Sequence, residues 1–118
     1  MDKLIPATAE HVQAIYGAPF KRTAIAITGE SEGKPFGIGA IYPQEGRMIM
    51  VFCLTPEGRE NVKHHAKAIV KGARYLLDKA RRYNLPVQTT ADDYPRSREL
   101  LEHLGFKPVT HIHYEWRP

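Results

Sequence analysis

The longest regular pattern in the chain runs from Glu60 to Tyr83, where Val62, Ala66, Ile69, Val70, Ala73, Leu76, Leu77 and Ala80 recur at steps of three and four. That spacing gathers the apolar groups on one side of a helix and leaves the other side charged. At ~1.5 Å per residue the predicted helix is ~36 Å long, enough to cross a sheet. Asn84 suits the left-handed residue that ends a helix, and Pro86 blocks continuation.

Ahead of this helix the period falls to two. Leu4 to Ala7 reads as a short strand leading to Thr8, an N-cap for a helix from Ala9 to Tyr16 with Val12, Ile15 and Tyr16 as its apolar stripe. Thr23 to Thr28, Pro35 to Tyr42 and Arg47 to Leu54 read as three strands, joined by the turn-like stretches Gly29 to Gly33 and Pro43 to Gly46 into an antiparallel meander. Beyond the long helix, Leu85 to Thr90 is a strand and Asp92 or Asp93 offers an N-cap. Pro95 to Leu104 is a helix that Gly105 ends, and Phe106 to Trp116 alternates as one last strand or a bent pair. The order β, α, β, β, β, α, β, α, β predicts a mixed α/β sandwich around one sheet.

Composition narrows the class. The 118 residues make a single domain, 1–118, and 42% hydrophobic with 25% charged content is ordinary for a globular chain. No apolar run approaches the ~20 residues that cross a bilayer, and Met1-Asp2-Lys3-Leu4 lacks a signal-peptide pattern, so the expectation is a cytoplasmic protein without a membrane partner. The single cysteine, Cys53, lies in the apolar run Met48 to Leu54 and is expected to be a small buried hydrophobe.

Net charge is +4, but residues 59–83 hold eight Lys or Arg against Glu60 and Asp78, a local +6. Lys63, Lys67, Lys71 and Arg74 form a positive ridge along the long helix, which reads either as a solvated face or as a docking surface for an acidic protein or non-specific nucleic acid. No groove-reading motif accompanies it, so sequence-specific DNA binding is not expected.

Other polar groups suggest little. His111 and His113 point the same way if they share a strand, a spacing zinc uses, but the sequence supplies no third ligand and no metal site is expected. His64 and His65 are adjacent on a helix, do not face one another, and read as solvated. Glu30, Glu45 and Glu57 are carboxylates near strand ends.

Two blocks carry a family resemblance: Leu54-Thr55-Pro56-Glu57-Gly58-Arg59 before the long helix, and Leu100-Leu101-Glu102-His103-Leu104-Gly105-Phe106 closing the short one. Their order and spacing resemble the GNAT superfamily, the Gcn5-related N-acetyltransferases, and the resemblance runs from Met1 to about Trp116. It implies a mostly antiparallel sheet of six to seven strands flanked by three helices, acetyl-CoA as cofactor, and direct attack of a primary amine on the acetyl group.

In that family the fourth strand ends in Pro-Glu-x-Arg followed by Gly-x-Gly, whose free amides meet the cofactor's pyrophosphate at a helix N-terminus. Pro56, Glu57 and Arg59 match the first part, while Glu60-Asn61-Val62-Lys63-His64 stands where the glycines belong. The resemblance places the cofactor against Cys53, Leu54, Thr55, Gly58, Arg59, Glu60, Asn61, Val62, Lys63 and Thr89. The strand 47–54 would meet the pantetheine arm by its backbone, and Arg59 to Lys63 would receive the phosphates.

Aligning on Gly105-Phe106 puts Tyr94 at the family's asparagine, Ser97 at its small residue and Leu101 at the tyrosine that protonates the departing thiolate. Leucine cannot donate a proton. Glu57 as base and Tyr94 as a displaced acid are the remaining catalytic candidates. The layout is also similar to small acetyltransferase-like proteins of tailed phages, several of which are structural or assembly proteins of the virion. Two functions follow. One is an N-acetyltransferase with an altered cofactor loop. The other is a non-catalytic adaptor, located in the host cytoplasm or the virion, that assembles with partners or with itself through the basic helix 60–83 or a sheet edge.

Overall fold

The computed structural model describes residues 2–19, 24–91 and 97–118. Three antiparallel strands form the middle of its sheet: β2 (Ile25–Ser31), β3 (Lys34–Gln44) and β4 (Arg47–Leu54). They are joined by two-residue turns, Glu32-Gly33 with φ of 51° and 80°, and Glu45-Gly46 with φ of 49° and 80°. Positive φ at both central residues gives the turn whose twist matches the flanking strands. The strands therefore run further than their alternation predicts, and Gly29 to Ser31 and Pro43-Gln44, expected in turns, belong to β2 and β3.

Seven strands make one sheet in the order β1-β2-β3-β4-β5-β7-β6, with β1 (Asp2–Pro6) at one edge and β6 (Lys107–Pro108) at the other. β5 (Val87–Thr90) joins β4 in parallel, and all other pairings are antiparallel. The last alternating stretch is the bent pair, β6 and β7 (His113–Trp116).

Thr8 caps α1 (Ala9–His11) as expected, and the helix widens into a π-helical turn over Val12–Tyr16 before Gly17 closes it at φ 86°. The long helix, α3, spans Val62–Arg81, and Asn84 adopts the left-handed conformation its type suggested, at φ 52°. Its buried side carries Val62, His65, Ala68, Ile69, Gly72, Ala73, Leu76, Leu77 and Ala80, whereas Ala66 is exposed. The core face is thus turned slightly from the apolar stripe, and it carries a histidine. Ala73, Leu76, Leu77 and Ala80 pack on Ile41, Met48 and Met50 of the sheet and on Leu101 and Leu104 from α4 (Ser97–His103) and its end. Gly105, at φ 96°, ends α4. Thr23, the N-cap candidates Asp92 and Asp93, Tyr94 and Pro95 lie outside the described residues. Among those described, no helix is long and apolar enough to cross a membrane.

Candidate functional site

β4 and β5 are paired at only two positions, Met48↔Val87 and Ile49↔Gln88. From there β5 follows β7, with Thr89↔Tyr114 and Thr90↔His113, while β4 stays on β3 as far as Gly37↔Leu54. At the fork the buried Thr89 hydroxyl donates 2.7 Å to the carbonyl of Met50. A cleft of about 540 Å³ opens beyond it, within the range of small-molecule sites.

Ile49, Val51 and Phe52 wall the cleft on the β4 side, with Tyr16 of the π-helical turn also lining it. Arg47, Gln88, Thr90, Thr110, His113 and Tyr114 supply polar groups. His113 is exposed, and its Nδ1 lies 2.8 Å from the Thr110 hydroxyl, which also accepts from the His113 amide at 3.2 Å. Tyr114 is a buried residue that still lines the cleft.

The turn after β4 is built differently. Thr55 caps a short helix, α2 (Pro56–Glu60), absent from the sequence expectation. Its hydroxyl accepts from the Gly58 amide at 3.0 Å and donates to the carbonyl of Phe36 at 3.2 Å. The Arg59 amide bonds Thr55 O at 2.9 Å, that of Asn61 bonds Glu57 O at 3.0 Å, and those of His64 and His65 both reach Asn61 O. The amides of Gly58, Arg59 and Asn61, expected to fan out toward phosphates, are therefore engaged within the helical turn. Gly58 has its own reason to be glycine: a Cβ there would stand 2.3 Å from Phe36 O, so α2 rests directly on β3.

Of the residues the resemblance assigned to the cofactor, Thr55, Gly58, Arg59, Glu60, Asn61, Val62 and Lys63 gather around α2, while Thr89 sits at the fork. Arg59, Glu60, Asn61 and Lys63 are exposed. Leu54 and Val62 are buried with Phe36, Ala68 and Ile69. Cys53, expected buried, is half-buried, and its thiol donates to the carbonyl of Ile15 at 3.2 Å. Glu57 does not line the cleft, and Leu101 is buried in the core. His111 precedes β7, where its carbonyl accepts from Arg98, so it does not share a strand with His113.

His65 corrects the solvated reading of the histidine pair, because it is only 1% exposed. Its ring stacks on Phe36 with centroids 4.0 Å apart, Nδ1 lies 2.9 Å from Asp2 Oδ2, and Nε2 lies 3.4 Å from Glu57 Oε1. Both ring nitrogens therefore face carboxylate oxygens. Burial alone would raise the Asp2 carboxyl, but hydrogen bonds from His65 and Ser31 and the neighbouring histidine charges outweigh it and hold the group below its ordinary 3.8. The donor atoms of Asp2, His64 and His65 lie within 4.8 Å of one another, whereas bonds of ~2.0 Å put tetrahedral zinc donors about 3.3 Å apart. As arranged, Asp2, Glu57 and His65 form a polar network that ties β1, α2 and α3 together.

The sequence matches no protein-family model and no curated protein. In three dimensions it is similar to a Gcn5-related N-acetyltransferase from Kribbella flavida (TM-score 0.70, 13% identity, covering 99% of this chain and 98% of that one). It is similar also to a GNAT-family acetyltransferase from Staphylococcus aureus (TM-score 0.65, 9% identity, 99% of both chains). A third is an IAA acetyltransferase from Bacillus cereus (TM-score 0.63, 10% identity, covering 100% of this chain and 99% of that one). Identities this low speak to architecture alone, and they agree with the mixed seven-stranded sheet: the chain has the fold of the GNAT acetyltransferases.

Proposed function

We propose that the protein is an acetyl-CoA-dependent N-acyltransferase that passes an acetyl group to a primary amine held in the β4–β5 cleft. The observation that carries this reading is the parting of β4 and β5 after two residue pairs. The outer edge of β4 past the fork has no strand partner among the described residues, which suits the backbone of an extended thioester arm. The other end of the cofactor fits less closely, because the amides of Gly58, Arg59 and Asn61 are engaged; the phosphates would meet the exposed side chains of Arg59 and Lys63 by charge.

When bound, acetyl-CoA supplies an activated acyl carbon. His113, held by Thr110 in the cleft, would take a proton from the entering ammonium. The Tyr114 hydroxyl is the proton donor of the cleft, a role closed to Leu101. Glu57, bonded by Asn61 Nδ2 at 3.1 Å and facing His65, belongs to the network instead.

Acetyl-CoA at ~100 times its dissociation constant should add about 2.7 kcal/mol of stability, a rise of several degrees in Tm for a domain of this size. Absence of any shift at millimolar ligand removes the reading. Arg59→Glu should abolish the shift, and a variant that binds as before would show that the phosphates lie elsewhere.

A second reading, the non-catalytic adaptor, draws on the engaged amides and on the exposed ridge of Lys63, Lys67, Lys71 and Arg74. Its partner would be an acidic protein, nucleic acid or a second copy, in the cytoplasm or in a virion. Light scattering across a salt series tests it: a monomer that ignores acidic proteins and nucleic acid at low salt rules it out.

A further inference from the structure

We infer that the β4–β5 cleft recognises a carboxylate, so that the acyl acceptor is a small amine carrying a free carboxylate, such as an amino acid or a short peptide. The label of acceptor rests on the transferase reading, whereas recognition of the carboxylate does not.

Arg47, the first residue of β4, lines the cleft, and its Nε is buried with no hydrogen-bond partner among the described residues. Buried N–H groups nearly always have a partner, and leaving one unpaired is costly, so Arg47 keeps donor capacity that the described residues do not use. Guanidinium presents a planar fork that matches a carboxylate at two points.

No described residue lining the cleft is acidic. Glu115, which faces Gln88 across the β5–β7 ladder, already accepts from Gln88 Nε2 at 3.0 Å and Arg117 Nε at 2.9 Å. The nearby carboxylate is thus committed to other donors, and among the described lining residues the fixed charge is that of Arg47. A polyamine would bring further positive charge with no carboxylate among the described lining residues to pair it, which selects against that acceptor class. Ile49, Val51, Phe52 and Tyr16 offer apolar surface for a side chain, and His113 supplies a proton acceptor in the same cleft.

The test follows the Arg47 Nε–H resonance in ¹⁵N-labelled protein during titration with L-leucine, L-phenylalanine and glycyl-L-leucine, each against its C-terminal amide, and with spermidine. At least one free acid should move the Arg47 resonance saturably and bind about 10-fold or more tighter than its amide, the discrimination expected of a charge-assisted pair. Arg47→Met should erase that preference and Arg47→Lys should keep part of it, which separates lost charge from lost folding. Equal affinity for acids and amides, tighter binding of spermidine, or a preference that survives Arg47→Met overturns the inference. The acetyl-CoA melting shift of the unaltered protein is recorded in parallel. A shift without carboxylate preference sinks this inference alone, and a preference without a shift leaves the carboxylate site standing while removing the transferase reading.

Discussion

The cleft beside β4 and the turn that follows β4 are neighbours in sequence but are made in opposite ways. The cleft is a product of strand pairing: two strands share two rungs and then follow different partners. Backbone pairing creates that opening. An amide cradle depends on particular residues, and here Thr55-Pro56 starts a helical turn that takes up the amides which glycines would have left free. The opening can therefore persist while the backbone donors beside it are engaged within a helical turn.

The sharpest way to probe the contrast is Gly58→Ala. Its Cβ would meet Phe36 O at 2.3 Å, and the loss should be about 2–3 kcal/mol in chemical denaturation even after the ~1 kcal/mol alanine gains in helix propensity. If Gly58 served a ligand instead, stability would hold and only acetyl-CoA binding would suffer. In the cleft, Tyr114→Phe should lower kcat about 100-fold, read as thiol release, with little change in Tm. An unchanged rate would move the proton donor elsewhere.

Thr89→Val removes the bond to Met50 O and leaves a buried carbonyl short of a donor, a loss of ~1–2 kcal/mol by urea titration. The smallest effect concerns Asp2. A carboxyl held below 3.8 in the folded state contributes stability that is fully present above that value and is lost as pH falls through the folded pKa. Asp2→Asn should therefore be less stable than the unaltered protein at neutral pH and show a flatter decline on acidification, and parallel pH–stability curves would remove the network's role.

The architecture was legible because it follows from periodicity. The three- and four-residue steps marked α3, alternation marked the strands, and Asn84 and Gly105 stopped helices as their types suggest. α2 was also within reach, because Thr55 followed by Pro56 is a helix-start signal. His65 was obscured by its polar character, although a step of three from Val62 and of four to Ile69 puts it on the buried side, and its partner Asp2 is 63 residues away. Arg47, His113 and Tyr114 acquire their chemistry only when β4 and β5 diverge, and long-range pairing of that kind leaves no local trace.

The two rungs at Met48↔Val87 and Ile49↔Gln88 carry one more implication. They are the whole ladder between a four-stranded sheet on one side and a three-stranded one on the other, with α3 and α4 lying across the pair through Leu76, Leu77, Leu101 and Leu104. The molecule thus has a mechanical seam. Under load or rising temperature the two half-sheets should part along it first, and amide hydrogens at the fork should exchange ahead of those deep in the β2–β3–β4 meander.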